Sequence, residues 1–112
     1  MLNKPAALLT LACALALAQT PLSIPIDQNL NAQDRHAKRG DMITWTRNGD
    51  WHVSFLQNRS PCSQGSQLDS HGGKICTINV GCASAGSPAC KYPYVITGGQ
   101  QPPHDPEIQV DP

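Results

Sequence analysis

The sequence predicts an all-β protein, a β-sandwich fastened by two disulfides, and three observations carry that prediction. Apolar residues recur every second position in short runs, turn-forming residues separate those runs, and no stretch after the first 18 residues repeats with the 3.6-residue period of a long helix. Several short strands at such spacing close most readily as a sandwich or a barrel.

Residues 1–18 read as a secretory signal peptide. Lys4 supplies a positive start, Ala6 to Ala18 is apolar apart from Thr10 and Cys13, and Ala16-Leu17-Ala18 offers a small-x-small cleavage site. The apolar run is shorter than the roughly 20 residues a membrane anchor needs, and Gln19, Thr20 and Pro21 end it. Cys13 raises a lipid-modified alternative, but Thr10 stands where such signals prefer Leu and the apolar stretch continues past the cysteine. Removing residues 1–18 from the 112 leaves 94, enough for one domain with one modest core. The expected destination is secreted or periplasmic, with no membrane span in the processed chain.

Residues 19–35 form an N-terminal segment that could supply a first strand, and the sandwich proper is expected over 36–112. Within it, residues 41–47 place Ile43 and Trp45 on one face, and the next run does the same with Val53 and Phe55. Asn48-Gly49-Asp50 between them is turn chemistry. Cys76, Ile78 and Val80 then alternate with Thr77 and Asn79. Tyr92, Tyr94 and Ile96 follow the same rule, and Ile108 with Val110 marks a short last strand. Residues 57–73, 81–89 and 98–106, rich in glycine, serine or proline, read as connectors.

The cysteines of the processed chain are Cys62, Cys76, Cys82 and Cys90, an even number in a small chain bound for an oxidising compartment. Three pairings are possible. Cys62 with Cys76 and Cys82 with Cys90 is favoured, because each bond closes a Gly- and Ser-containing segment with few apolar residues to restrain it. A zinc site competes poorly, since no C-x-x-C pair is present.

Charge excludes some partners. Without Lys4 the chain has seven Lys and Arg against eight Asp and Glu, a formal charge of −1, so neither nucleic acid nor an anionic membrane is expected. Arg35, Lys38 and Arg39 are flanked by Asp34 and Asp41 and read as a solvated strand edge.

Three segments carry a family resemblance. Gly40-Asp41-Met42-Ile43-Thr44-Trp45-Thr46-Arg47-Asn48 resembles the G-D-x-[VI]-x-W-x-N strand of the cupredoxins, the plastocyanin and azurin group. Tyr92-Pro93-Tyr94-Val95-Ile96 is similar to the aromatic strand near the C-terminus of that fold, and Asp105-Pro106-Glu107-Ile108-Gln109-Val110 to its final strand. The resemblance spans roughly residues 36–112 and implies a Greek-key, cupredoxin-like sandwich.

It also implies a test. A type 1 copper centre needs two imidazoles and a thiolate, usually with a weak axial thioether. His52 falls near the place of the family's first histidine but one residue out of register: the family spaces that histidine four before the strand aromatic, and Phe55 is three on. A one-residue shift turns a side chain to the opposite face. The place of the ligand cysteine falls at about Ile96, no C-x-x-H-x-x-M pattern follows, His104 stands too far along, and Met42 lies in an early strand. The expectation is a cupredoxin-like fold without type 1 copper and without a resident cofactor.

The remaining motifs are weaker. His36, His52, His71 and His104 could build a nitrogen-rich copper or zinc site, with His52 and His104 meeting at one end of the sandwich, yet no H-x-H or H-x3-H spacing sets two of them on one element. Asp50, His52 and Ser54 are close in sequence without being a triad, which is defined by hydrogen-bond geometry. No phosphate loop, nucleophile elbow or zincin motif is present, so the chain is not expected to be an enzyme. The Asn58-Arg59-Ser60 sequon is weakened by Pro61. Trp51, beside the turn, is expected to pack against the end of the sandwich; the other reading is a contact residue. Two functions follow: an exported module that contacts a protein partner through the Trp51 region and residues 98–106, or a copper-binding, electron-transfer protein using His52 and His104.

Overall fold

The computed structural model describes residues 21–97 and 105–112. Eight strands make two sheets: β1 (Pro21–Pro25), β2 (Arg35–Ala37), β3 (Met42–Thr46), β4 (His52–Phe55), β5 (Gln67–Asp69), β6 (Ile75–Thr77), β7 (Lys91–Ile96) and β8 (Glu107–Val110). One sheet has the order β1-β3-β6, the other β2-β8-β7-β4-β5. β1 runs parallel to β3 and β2 parallel to β8, while every other pair is antiparallel. Among the described residues there is no α-helix, and two single 3-10 turns, Leu56–Asn58 and Pro88–Cys90, interrupt the connectors.

The alternation read from the sequence becomes the core. Along β7 the residues run half-buried, buried, half-buried, and Tyr92, Tyr94 and Ile96 are the buried ones. Ile43 and Trp45 of β3, Val53 and Phe55 of β4, and Ile108 and Val110 of β8 obey the same rule. One apolar cluster collects these side chains from both sheets. Burying each large apolar side chain stabilises the fold by roughly 1.5–3 kcal/mol. Its centre is aromatic: Trp45 meets Tyr94 edge-on at a centroid distance of 5.5 Å, and Phe55 lies 5.4 Å from Tyr94. Burial pushes the Tyr94 phenol up to about 12, opposed by the hydrogen bond from Trp45.

Both favoured disulfides are formed, Cys62 with Cys76 and Cys82 with Cys90. Cys76 is fully buried opposite Ile43, so the first bond fastens the 61–64 segment along the outer edge of β6. The second closes the Ser84-Ala85-Gly86-Ser87 loop, where the Ser87 side chain accepts from the Ala89 N–H and starts the turn at Pro88.

The structure corrects two boundaries. Residues 57–73 are not one irregular connector, since β5 forms within them and pairs with β4 through Leu68 opposite Val53. The 76–80 run is a strand only to Thr77, after which Ile78 bridges to Cys62. Residues 19–35 contribute β1 from Pro21 onward, with Ile24 buried against the core and opposite Trp45 in register. Arg35 opens β2 at the edge of the larger sheet, and Lys38 and Asp41 close the turn that follows, with Lys38 N–H donating to the Asp41 carboxylate at 2.8 Å. The proposed signal peptide, 1–18, lies outside the described residues.

Candidate functional site

The end of the sandwich that gathers most chemistry lies where the β3–β4 turn, the start of β4, the β5–β6 turn and the end of β7 converge. Asp50, Trp51, His52, Asp69, His71 and Thr97 line a shallow depression of about 380 Å³ there. The backbone fixes its walls. Trp51 N–H donates to Ser70 Oγ and Ser70 N–H to the Trp51 carbonyl, both at 3.1 Å, and Thr97 N–H donates to the His52 carbonyl at 2.9 Å.

Trp51 packs rather than protrudes. It is 7% exposed and its ring lies 5.7 Å from that of Trp45. The two indoles, tilted 47° to one another, anchor the turn that carries Asp50 to the core.

His52 opens β4, whose inward residues are Val53 and Phe55, so its imidazole stands with Ser54 on the outer face of the sheet. There His52 Nε2 lies 2.6 Å from Gln67 Oε1, and Gln67 Nε2 donates to Ser54 Oγ at 2.7 Å. Ile96, the position where the resemblance would set a thiolate, is opposite Val53 in register and buried in the core. His52 and residue 96 therefore face away from each other.

Asp69 is opposite His52 and has a different task. Its Oδ1 accepts the N–H groups of Gly72 at 2.7 Å and His71 at 2.9 Å, which shapes the turn before β6. Those two bonds, Gly72 first, hold its carboxyl below the usual value, with the His52 and His71 charges adding in the same direction and desolvation opposing. The turn also presents His71, whose Nε2 stands 3.0 Å from Asp50 Oδ1 with both side chains largely in solvent.

Asp50, His52 and Ser54 are not arranged as a relay. Asp50 faces His71, while His52 and Ser54 both bond Gln67. His36 is at the opposite end: it pairs with Asp111 at 3.0 Å, beyond the Lys91 end of the antiparallel β7–β8 pair. Met42 begins β3, opposite Thr77 of β6, and does not line the depression. His104 lies outside the described residues, as do 98–103 of the connector that carries it. Among the described residues no group of three or more His, Cys, Asp or Glu is disposed to hold a metal ion, and all four cysteines there are joined in disulfides.

Sequence reasoning missed Gln67, Asp69 and the Asp50–His71 pair. Asp69-Ser70-His71-Gly72 carried an available signal, an aspartate ahead of a glycine in an Asx-turn pattern. The partnership of Gln67 with His52 carried none, because it depends on strand register across 15 positions.

Together these features define an all-β, two-sheet, disulfide-bonded protein with a His- and Asp-lined depression at one end. Comparison with known protein families, curated proteins and solved structures finds no match to the chain. Among the described residues no helix is long and apolar enough to cross a membrane. The two disulfides are consistent with an oxidising, extracellular setting.

Proposed function

We propose that this protein is an exported, cupredoxin-like β-sandwich that acts as a binding module, is not an enzyme, and carries no type 1 copper. The observation that carries the reading is the outward His52 beside an inward Ile96: an imidazole and a position 96 side chain on opposite faces of neighbouring strands cannot ligate one ion. The fold side of the reading is supported by strand order. Neighbours in the two sheets are mostly non-consecutive, with only β4–β5 and β7–β8 adjacent in both sequence and space, as sheet-crossing Greek-key connections require. The partner is a protein, received at the end formed by the β3–β4 turn and the β5–β6 turn.

A second reading is copper binding by His52 and His104. It is favoured by the Thr97 N–H bond to the His52 carbonyl, which starts the connector bearing His104 beside His52. Rotation of the His52 ring away from Gln67 would free an imidazole nitrogen as ligand.

Metal content of the protein as purified, followed by copper and zinc titration of the metal-free form, separates the two. The first reading expects no stoichiometric binding and no intense charge-transfer band. Tight equimolar binding that disappears in the His52→Ala, His104→Ala double variant overturns it in favour of the second.

A further inference from the structure

The turn that carries Asp50 into the depression also contains the one Asn-Gly pair of the chain, Asn48-Gly49. Both residues are exposed, and Gly49 has φ 124°, a conformation open to a residue without a side chain. Neither the Asn48 side-chain amide nor the Gly49 N–H takes part in a hydrogen bond within the described residues. The Arg47 guanidinium folds back over this turn. Its Nη1 donates to the Asp50 carbonyl at 2.6 Å and would stand 2.7 Å from a Cβ on Gly49. Asn48 further borders a hollow of about 290 Å³ with Ile26, Asp27, Gln28 and Arg47, open to water.

We propose that Asn48 is a self-modification site, converted to aspartate and isoaspartate through a cyclic imide, with Arg47 promoting the cyclisation. The Gly49 nitrogen, losing its proton to solvent, attacks Asn48 Cγ and forms the ring C–N bond. The Cγ–Nδ2 bond breaks, and the amide nitrogen leaves as ammonia after taking a proton. Water then adds to either imide carbonyl and opens the ring, returning a carboxylate on a normal or a lengthened backbone. No electrons are exchanged. Glycine at the second position removes the side chain that would obstruct the attack. The guanidinium, a fixed positive charge folded over the Gly49 turn, favours the deprotonated form of the nitrogen and the oxyanion made at Cγ. The other asparagines of the described chain, Asn29, Asn31, Asn58 and Asn79, precede Leu30, Ala32, Arg59 and Val80 and lack this arrangement.

The product adds one negative charge two residues before Asp50, which lines the depression. A newly made protein and an aged one thus present different electrostatics at the same end.

The test is to hold the folded, disulfide-bonded protein at neutral pH and body temperature and follow each asparagine by fragment mass mapping with isoaspartate labelling, in the wild type, in Arg47→Gln, and in both after unfolding in urea. Conversion at Asn48 ahead of the other four, slowed about fivefold in folded Arg47→Gln as the loss of one screened charge contact implies, and equal in the two unfolded chains, supports the proposal. Asn48 staying an amide in the folded wild type while it converts in urea overturns it. So does an equal rate in folded wild type and Arg47→Gln.

Discussion

Trp45 donates its indole N–H to the Tyr94 hydroxyl at 3.2 Å, in the interior, from a strand of the smaller sheet to a strand of the larger one. Both side chains are almost completely buried, so neither group has water as an alternative partner. This polar contact adds a directional link between the two sheets to the apolar packing around it. Tyr94→Phe keeps the ring and leaves the Trp45 N–H unpaired, which should cost about 1–3 kcal/mol. Urea unfolding followed by tryptophan fluorescence reads the loss as a lower midpoint at unchanged slope.

The same phenol predicts an alkaline limit. Its folded value of about 12 lies above the ordinary phenol value of 10.0, so the native state holds the proton more tightly than the unfolded chain. Stability from this group is complete below pH 10 and is lost as the pH rises towards 12, at about 1.4 kcal/mol per unit. Denaturant midpoints measured between pH 9 and pH 12 should fall in the wild type, and in Tyr94→Phe this component of the fall should be absent.

The two disulfides should be unequal. Cys62–Cys76 spans 14 positions and Cys82–Cys90 spans 8, so the chain-entropy contributions are about 3 and about 2.5 kcal/mol. Cys76 is fully buried and Cys82 is half-buried, and replacing the first pair by alanine also opens space in the core. Equilibrium unfolding of the Cys62→Ala, Cys76→Ala variant should show the larger loss, with the Cys82→Ala, Cys90→Ala variant close to the chain-entropy value.

At low pH the β5–β6 turn should yield early. The Asp69 carboxyl is held below 3.8 by its two backbone N–H donors, so its contribution is present above the ordinary carboxylate value and disappears as the pH drops through the folded one. Protection of the His71 and Gly72 amides against hydrogen exchange, taken relative to the intrinsic rate at each pH, should be lost below pH 4 in the wild type. In Asp69→Ala that protection should already be missing at neutral pH.

The legible parts of the fold were those where burial imposes a period of two over at least four residues. β3, β4, β7 and β8 bury two or three alternating side chains each. β5 was not legible because Leu68 is its one buried residue, set between polar neighbours that the sheet hydrogen bonds hold in place. β2, with Ala37 as its single inward residue, was marked only by the charged edge of Arg35, Lys38 and Arg39 and not by alternation. The cysteine pairing could be favoured because both bonds are short-range in sequence. At the site, His52 stood out by residue type, but what it touches is decided by β4–β5 register, and residues 52 and 67 carry no local mark of one another.

The pairing of β2 with β8 has a consequence for the timing of folding. His36 and Gln109 are neighbours in register, yet more than seventy positions of chain separate them, so the larger sheet gains its β2 edge only once residues 107–110 are in place. A chain released progressively, whether from a ribosome or through a translocation channel, therefore cannot complete the larger sheet before residues 107–110 emerge. For a protein that we propose is exported, a sheet edge that waits for so distant a partner delays completion of the larger sheet during passage.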